Sequence, residues 1–110
     1  MVSNENFDKN AFQFTSLILS LSTSCMIQLG KSPNPMTNNI EKDLKQAEIT
    51  ITLLEMLKEK TKGNLSKDEQ NILDSSLTNL RLNYVNEVKA DEKAKVDNEK
   101  EQEENNSQNT

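Results

Sequence analysis

The chain of 110 residues contains no histidine, no tryptophan and only one cysteine, together with two glycines and two prolines. Without histidine it lacks the commonest general base and a common metal ligand, and a single cysteine cannot form an internal disulfide. Two isolated glycines cannot form a phosphate-binding loop. These absences predict a protein that is not an enzyme and that has no cofactor, metal ion or small-molecule ligand.

Glycine and proline occur at only two places in the chain, at residues 30–35 and at Gly63. An all-β domain needs turn residues far more often, whereas long stretches without them are typical of helices. Only four residues are aromatic, so the core is predicted to be aliphatic. We predict an all-α fold in one domain over residues 7–90: a three-helix antiparallel bundle, or a helical hairpin plus a long first helix.

The first predicted helix spans residues 7–29 and ends at Gly30, which suits a left-handed helix stop. Its core stripe recurs at spacings of three and four residues and consists of Phe7, Ala11, Phe14, Ile18, Leu21 and Cys25. We expect Cys25 to be a buried apolar residue without reactivity. No charged residue occurs between Lys9 and Lys31, and the outer arc of this helix carries serine and threonine.

An uncharged stretch of about 20 residues has the length of a transmembrane helix, so helix 7–29 raises a membrane alternative. Residues 14–29 nevertheless include six serines or threonines and one glutamine, and no basic cluster adjoins them. We therefore favour a buried helix of a cytoplasmic protein, since the N-terminus also lacks the basic start of a secretory signal. A peripheral or single-span membrane protein that uses helix 7–29 is the alternative.

The second predicted helix spans residues 40–62 and is capped by Asn38 or Asn39. Its core stripe consists of Ile40, Leu44, Ala47, Ile51 and Leu54. The third predicted helix spans residues 67–89, and its start is marked by a capping box in which Ser66 and Glu69 exchange hydrogen bonds. Leu73, Leu77, Leu80, Tyr84 and Val88 recur along one face of it.

The two ends of the chain are predicted to be disordered, at residues 1–6 and in an acidic tail at residues 91–110, the tail being at most a fraying extension of the last helix. The tail holds seven acidic and three basic residues, so it carries −4 of the net charge of −5. It offers too little apolar surface to offset the entropy of ordering it. The remainder is nearly neutral and has one arginine, which disfavours nucleic-acid binding.

If each helix buries one apolar stripe in the core, two further uncharged surfaces stay exposed, one on the first predicted helix and one on the second. We predict that they form an interface, with candidate residues Ser16, Ser20, Ser24, Ile49, Leu53 and Met56. Serines at every fourth position let another helix approach closely. The predicted partner is a second copy, most simply in a two-fold dimer, or another protein to which this chain is an accessory subunit.

Three segments of the sequence resemble one bacterial family. They are FTSLILSLSTSCMIQLG at 14–30, PNP at 33–35 and LLEMLKEKTKGNLSKDEQNILDSSLTNLRLNYV at 53–85. Together they resemble the family of domain of unknown function 1844 over about residues 10–88. The resemblance implies a short bacterial helical protein without a signal peptide and without an assigned activity, and it supplies no catalytic or ligand residue. Cys25 stands where the family pattern is expected to have alanine, which supports a buried position.

Overall fold

The computed structural model describes residues 8–108, with side chains described as far as Glu103. These residues form three α-helices: α1 (Lys9–Gln28), α2 (Leu44–Lys60) and α3 (Lys67–Gln108). The described residues contain no strand, and one isolated bridge joins Asn34 to Asn39 in the loop before α2. The all-α prediction is confirmed, whereas the predicted disorder of residues 1–6 lies outside the described residues.

Helix α1 has hydrogen-bonded caps at both ends. The Asp8 carboxylate accepts from the backbone N–H groups of Asn10 and Ala11, at 2.9 and 3.2 Å. At the other end Gly30 has φ +78°, its N–H donates to the Ile27 carbonyl, and the N–H of the following lysine reaches back to Met26. This pair of backbone hydrogen bonds is typical of a helix that ends at a glycine in the left-handed conformation. The predicted range 7–29 is therefore close to the observed one.

Helix α2 begins four residues later than predicted, and the predicted caps Asn38 and Asn39 are wrong. Asn38 has φ +59° inside a turn in which its N–H donates to the Asn34 carbonyl at 2.7 Å. Asp43 is the actual cap and accepts from the N–H of Gln46 at 3.1 Å. Ile40, which was predicted to lie in the core, is 58% exposed. The turn satisfies the asparagine backbone locally, so these residues do not start a helix.

Helix α3 begins at the predicted capping box. The Ser66 N–H donates to the Glu69 carboxylate at 2.8 Å, and the Glu69 N–H donates to the Ser66 hydroxyl at 3.2 Å. The helix does not end near residue 89, because it continues to Gln108. Residues 91–108, predicted to be a disordered tail, are thus helical in the structure, and residues 109 and 110 lie outside the described part.

Two features of the sequence account for the long continuation of α3. No glycine or proline follows Gly63, so nothing in the backbone stops the helix. Opposite charges also recur four residues apart, as at Asp91 with Lys95 and Lys95 with Glu99, which stabilises a solvated helix. Residues 89–103 are all exposed, so this extension is held by local interactions rather than by packing.

The three helices pack against one another around an aliphatic core. Every helix contributes three buried apolar residues to it: Ile18, Cys25, Leu29 (directly after α1), Ala47, Ile51, Leu54, Leu73, Leu77 and Leu80. Each fully buried Leu or Ile side chain contributes about 1.5–3 kcal/mol relative to an exposed one. The predicted stripes of the three helices contain eight of these nine residues, all but Leu29, and the predicted burial of Cys25 is confirmed.

Contacts between the helices establish an antiparallel bundle. Between α2 and α3, Glu48 accepts from the Tyr84 hydroxyl, and Lys58 nearer the end of α2 pairs with Asp74 nearer the start of α3. Between α1 and α2, the Cys25 thiol near the end of α1 donates to the carbonyl of Ala47 near the start of α2. Helix α2 therefore runs opposite to both neighbours.

Four charged residues tie the loop between α1 and α2 to α3. Lys31 pairs with Glu87 at 3.3 Å, and Lys42 pairs with Glu87 at 3.4 Å and also with Asp91. These ion pairs raise the pKa of the Lys42 ammonium, with the hydrogen bond to Asp91 as the main cause. The cluster lies at the end of the bundled part of α3 and joins the first residues of its exposed extension to the loop.

Candidate interaction surface

One contact fixes which sides of α1 and α2 face each other. The Thr50 hydroxyl of α2 donates to the side-chain oxygen of Gln28 on α1 at 2.7 Å. Residues spaced by three, four or seven positions share one side of a helix. Ser24 and Leu17 therefore lie on the Gln28 side of α1, and Leu53 lies on the Thr50 side of α2. Two strips of side chains thus border the groove between these helices.

The outer surface along this groove joins residues of both helices. Because Cys25 lies beside Ala47 in an antiparallel pair, Ser20 of α1 is level with Leu53 of α2. Ile49 precedes Leu53 by one helical turn and continues the same surface. We call this surface the α1–α2 face, and its residues are Leu17, Ser20, Ser24, Ile49 and Leu53.

The structure brings together four of the six residues that the sequence predicted for an interface. Ser20, Ser24, Ile49 and Leu53 belong to the α1–α2 face, and the last two are 46% and 42% exposed. Ser16 lies about 40° around α1 from Ser20, and Met56 lies about 20° around α2 from Ile49, so both continue the same outer surface one turn beyond the face. Met56 is itself 44% exposed.

Leu17 is the member of this face that the sequence interpretation missed. Leu17 is 45% exposed. Its position one residue before Ile18, which is fully buried, turns it about 100° away from the core. That angle was readable from the sequence. On the opposite flank of α1, Phe12 and Leu19 are 61% and 55% exposed.

The five residues of the α1–α2 face are uncharged. Helix α1 has no charge after Lys9, but on α2 Lys45 lies one turn before Ile49 and Lys60 lies two turns after Leu53. Glu48 and Glu55 turn towards α3, where they accept from Tyr84 and Arg81, both at 3.2 Å. Desolvation, together with the hydrogen bond to Glu48, raises the pKa of the Tyr84 phenol. The polar bonds of α2 are thus directed away from the face.

Some hydroxyl groups on these helices are hydrogen-bonded to the backbone of their own helix. Ser22 donates to the Ile18 carbonyl at 2.8 Å, and Thr52 donates to the Ile49 carbonyl, also at 2.8 Å. Serine and threonine in helices commonly satisfy their hydroxyls in this way. The same option is open to Ser20 and Ser24, so another helix can cover them without leaving an unsatisfied hydroxyl.

Cys25 is the one thiol of the protein, and its surroundings make it unreactive. It is fully buried, and desolvation raises its pKa from 9.0 to about 11. A thiol reacts through its thiolate, which is scarce at neutral pH with such a pKa. Its Sγ lies 3.7 Å from the Ala47 carbonyl and serves as a weak donor within the core.

A polar crevice lies at one end of the α1–α2 face. It is lined by Ser24, Ile27, Gln28, Asn34, Pro35, Glu41, Lys42, Asp43 and Gln46. Within residues 8–103, no buried side-chain nitrogen or oxygen lacks a hydrogen-bond partner. No group of three or more metal-ligating side chains occurs in the same part of the chain. The crevice is an open end of the groove and shows no feature of a built ligand site.

The family model described as Domain of unknown function (DUF1844) matches residues 11–86. The chain belongs to this family. The match includes α2, nearly all of α1 and the bundled part of α3, so every residue of the α1–α2 face lies within the DUF1844 region. The extension of α3 beyond residue 86 lies outside it. The resemblance noted from the three sequence segments is confirmed.

No curated protein and no solved structure matches the chain. The family description assigns no activity. Over the residues that the structure describes, none of the helices combines the length and the apolar character required to cross a membrane.

Proposed function

We propose that this DUF1844 protein is a non-enzymatic interaction protein whose α1–α2 face binds a protein surface. The observation that supports this most directly is the exposure of Leu17, Ile49 and Leu53, each between 42% and 46%, on a face without charge. An apolar surface of this kind, with charges directed elsewhere, is typical of a protein–protein contact. The cytoplasmic location predicted from the sequence is part of this proposal.

The burial energy of the three apolar residues offsets only part of what association costs. Covering a side chain that is already about half buried contributes roughly 1 kcal/mol, so the three residues contribute about 3 kcal/mol. An equal contribution from the partner brings the total to about 6 kcal/mol, which offsets only the lower end of the range of about 4–15 kcal/mol that association costs. Contacts at the edges, including Met56, would have to supply the rest.

Affinity capture from the cell of origin tests this proposal with a matched pair of variants. Leu53→Glu places a charge in the middle of the α1–α2 face, and Leu82→Glu places the same charge on the outer side of α3, where Leu82 is 60% exposed. We expect wild type and Leu82→Glu to retain the same protein, whether a second tagged copy or another polypeptide, and Leu53→Glu to lose it. Equal capture by all three would contradict the proposal.

A further inference from the structure

We propose that the loop between α1 and α2 is an ionic latch that stabilises the helix of the α3 extension where it leaves the bundle. The latch consists of Lys31 and Lys42 in the loop and of Glu87 and Asp91 on α3. While it is closed, the first turn of the extension is held against the loop. When the lysines are screened or bound by another anion, the extension loses this anchor. The latch lies apart from the five residues of the α1–α2 face and does not depend on the proposed function.

The two carboxylates of the latch lie on the side of α3 that faces the loop. Glu87 and Asp91 are four residues apart, so a helix places them one turn apart on the same side. Glu87 accepts from Lys31 at 3.3 Å. Lys42 lies 3.4 Å from Glu87 and also donates a hydrogen bond to Asp91. Because one ammonium group can reach both carboxylates only while this turn is helical, the contact stabilises the helix at residue 91.

The loop holds Lys42 in position for these contacts. The N–H of the next residue, Asp43, donates to the Gln28 carbonyl at 2.7 Å and fastens the loop to the end of α1. The stem of Lys42 lies over Gly30, since a β-carbon at residue 30 would come within 3.2 Å of it. A lysine whose stem is packed in this way loses less side-chain freedom when it forms an ion pair, and that loss is what weakens most pairs between surface side chains.

The extension beyond the latch depends on what happens at its base. Residues 92–103 are exposed, so their helix is propagated from the bundle and supported by charge pairs within the helix. Coupling is reciprocal: if the loop stabilises the helix at Asp91, the helical extension stabilises the loop equally. The side chains of the latch are between 17% and 54% exposed, so salt ions or an anionic partner can reach them and open it.

Amide hydrogen exchange of the full chain, measured by NMR, tests the latch with a double-mutant cycle. In a helix the N–H groups of residues 92–95 donate to the carbonyls of residues 88–91, so their exchange reports opening at the latch. We expect Lys42→Met and Asp91→Asn each to speed this exchange about three- to fivefold at low salt. The double variant should exchange little faster than either single variant. Asp91→Asn should also speed exchange of the Asp43 amide in the loop. In about 1 M NaCl, where the Debye length is about 3 Å, these differences should largely disappear.

Asp97→Asn is the matched control, because it makes the same change farther along the exposed extension. Its effect and that of Lys42→Met should multiply, as the effects of independent changes do. Effects of Lys42→Met and Asp91→Asn that also multiply would overturn the latch, and so would unchanged exchange in both single variants. An unchanged Asp43 amide in Asp91→Asn would overturn it too, because the extension would then not act on the loop. Thermal denaturation checks that the bundle stays folded, and Lys42→Gln replaces Lys42→Met if that variant does not.

Discussion

Thr50 and Gln28 form a hydrogen bond across the groove between α2 and α1, with 2.7 Å between the hydroxyl and the amide oxygen. Thr50 is only 3% exposed, and it is the single polar residue among the buried residues that the structure describes. The Gln46 carbonyl, 3.1 Å from the same hydroxyl, is a second acceptor. This bond joins the two helices and fixes which of their sides face each other, and thereby which residues border the groove between α1 and α2.

Thr50→Val should lower the free energy of unfolding by about 0.5–1.5 kcal/mol, because it removes a hydrogen bond while keeping the shape of the side chain. Thr52→Val is the matched control, since Thr52 is exposed and bonds only within its own helix. We expect the control to change stability by less than about 0.5 kcal/mol. Urea denaturation measures both values, and equal effects would contradict the role given to Thr50.

Ser66→Ala should destabilise the protein by about 1 kcal/mol, because it removes the hydroxyl that caps the start of α3. Ser75→Ala is the control. Ser75 is exposed in the interior of α3, where alanine favours the helix by a few tenths of a kcal/mol. In thermal denaturation Ser66→Ala should therefore lower the midpoint, and Ser75→Ala should raise it slightly. An equal loss of stability for both variants would contradict the capping box.

Cys25 should make the stability of the fold decrease at alkaline pH. Burial raises its folded-state pKa from 9.0 to about 11, so the unfolded chain loses the thiol proton first. The contribution is fully present below pH 9 and is lost as the pH rises towards 11, by an amount on the order of 2–3 kcal/mol.

The difference between wild type and Cys25→Ala isolates this effect, because lysines and the tyrosine titrate alike in both proteins. The free energy of unfolding of wild type should fall relative to that of Cys25→Ala as the pH rises from 9 to 11. Wild type should also resist thiol reagents at neutral pH until it is unfolded. Rapid modification of the native protein would show that Cys25 is accessible, contrary to its full burial.

Removing residues 97–110 should leave the stability of the bundle within about 0.5 kcal/mol of wild type, because the described side chains of residues 97–103 are all exposed. The helical signal in far-UV circular dichroism should fall by the contribution of the α3 extension. Added salt should lower this signal in the full chain, since opposite charges four residues apart are screened. A large drop in the thermal midpoint of the truncated chain would contradict an unpacked extension.

The core and the helix types were predictable because they depend on local spacing. Ile18 and Cys25 in α1 and Leu73, Leu77 and Leu80 in α3 all lie at helical spacings, and all are buried. The start of α3 was predicted because both partners of its capping box lie within four residues. The start of α2 was missed, since it depends on a turn closed between Asn34 and Asn39 rather than on helix propensity.

The continuation of α3 and the composition of the face were harder to predict for different reasons. The low apolar content of the acidic tail indicated disorder. The absence of glycine and proline and the alternating charges favour a helix instead. Composition alone does not say which of these two tendencies is stronger. The face depends on which sides of α1 and α2 meet. The sequence identified the uncharged residues, but only the contact of Thr50 with Gln28 places Leu17 among them.

Site-specific photo-crosslinking inside the cell of origin tests the central claim most directly. A photoreactive amino acid is placed at position 53 in the α1–α2 face and, as a control, at position 82 on the outer side of α3, and the products are separated by mass. We predict a discrete protein adduct from position 53, at twice the mass of the chain if a second copy covers the face. Position 82 should give little or none. No adduct from position 53, or equal adducts from both positions, would contradict a protein contact at the α1–α2 face.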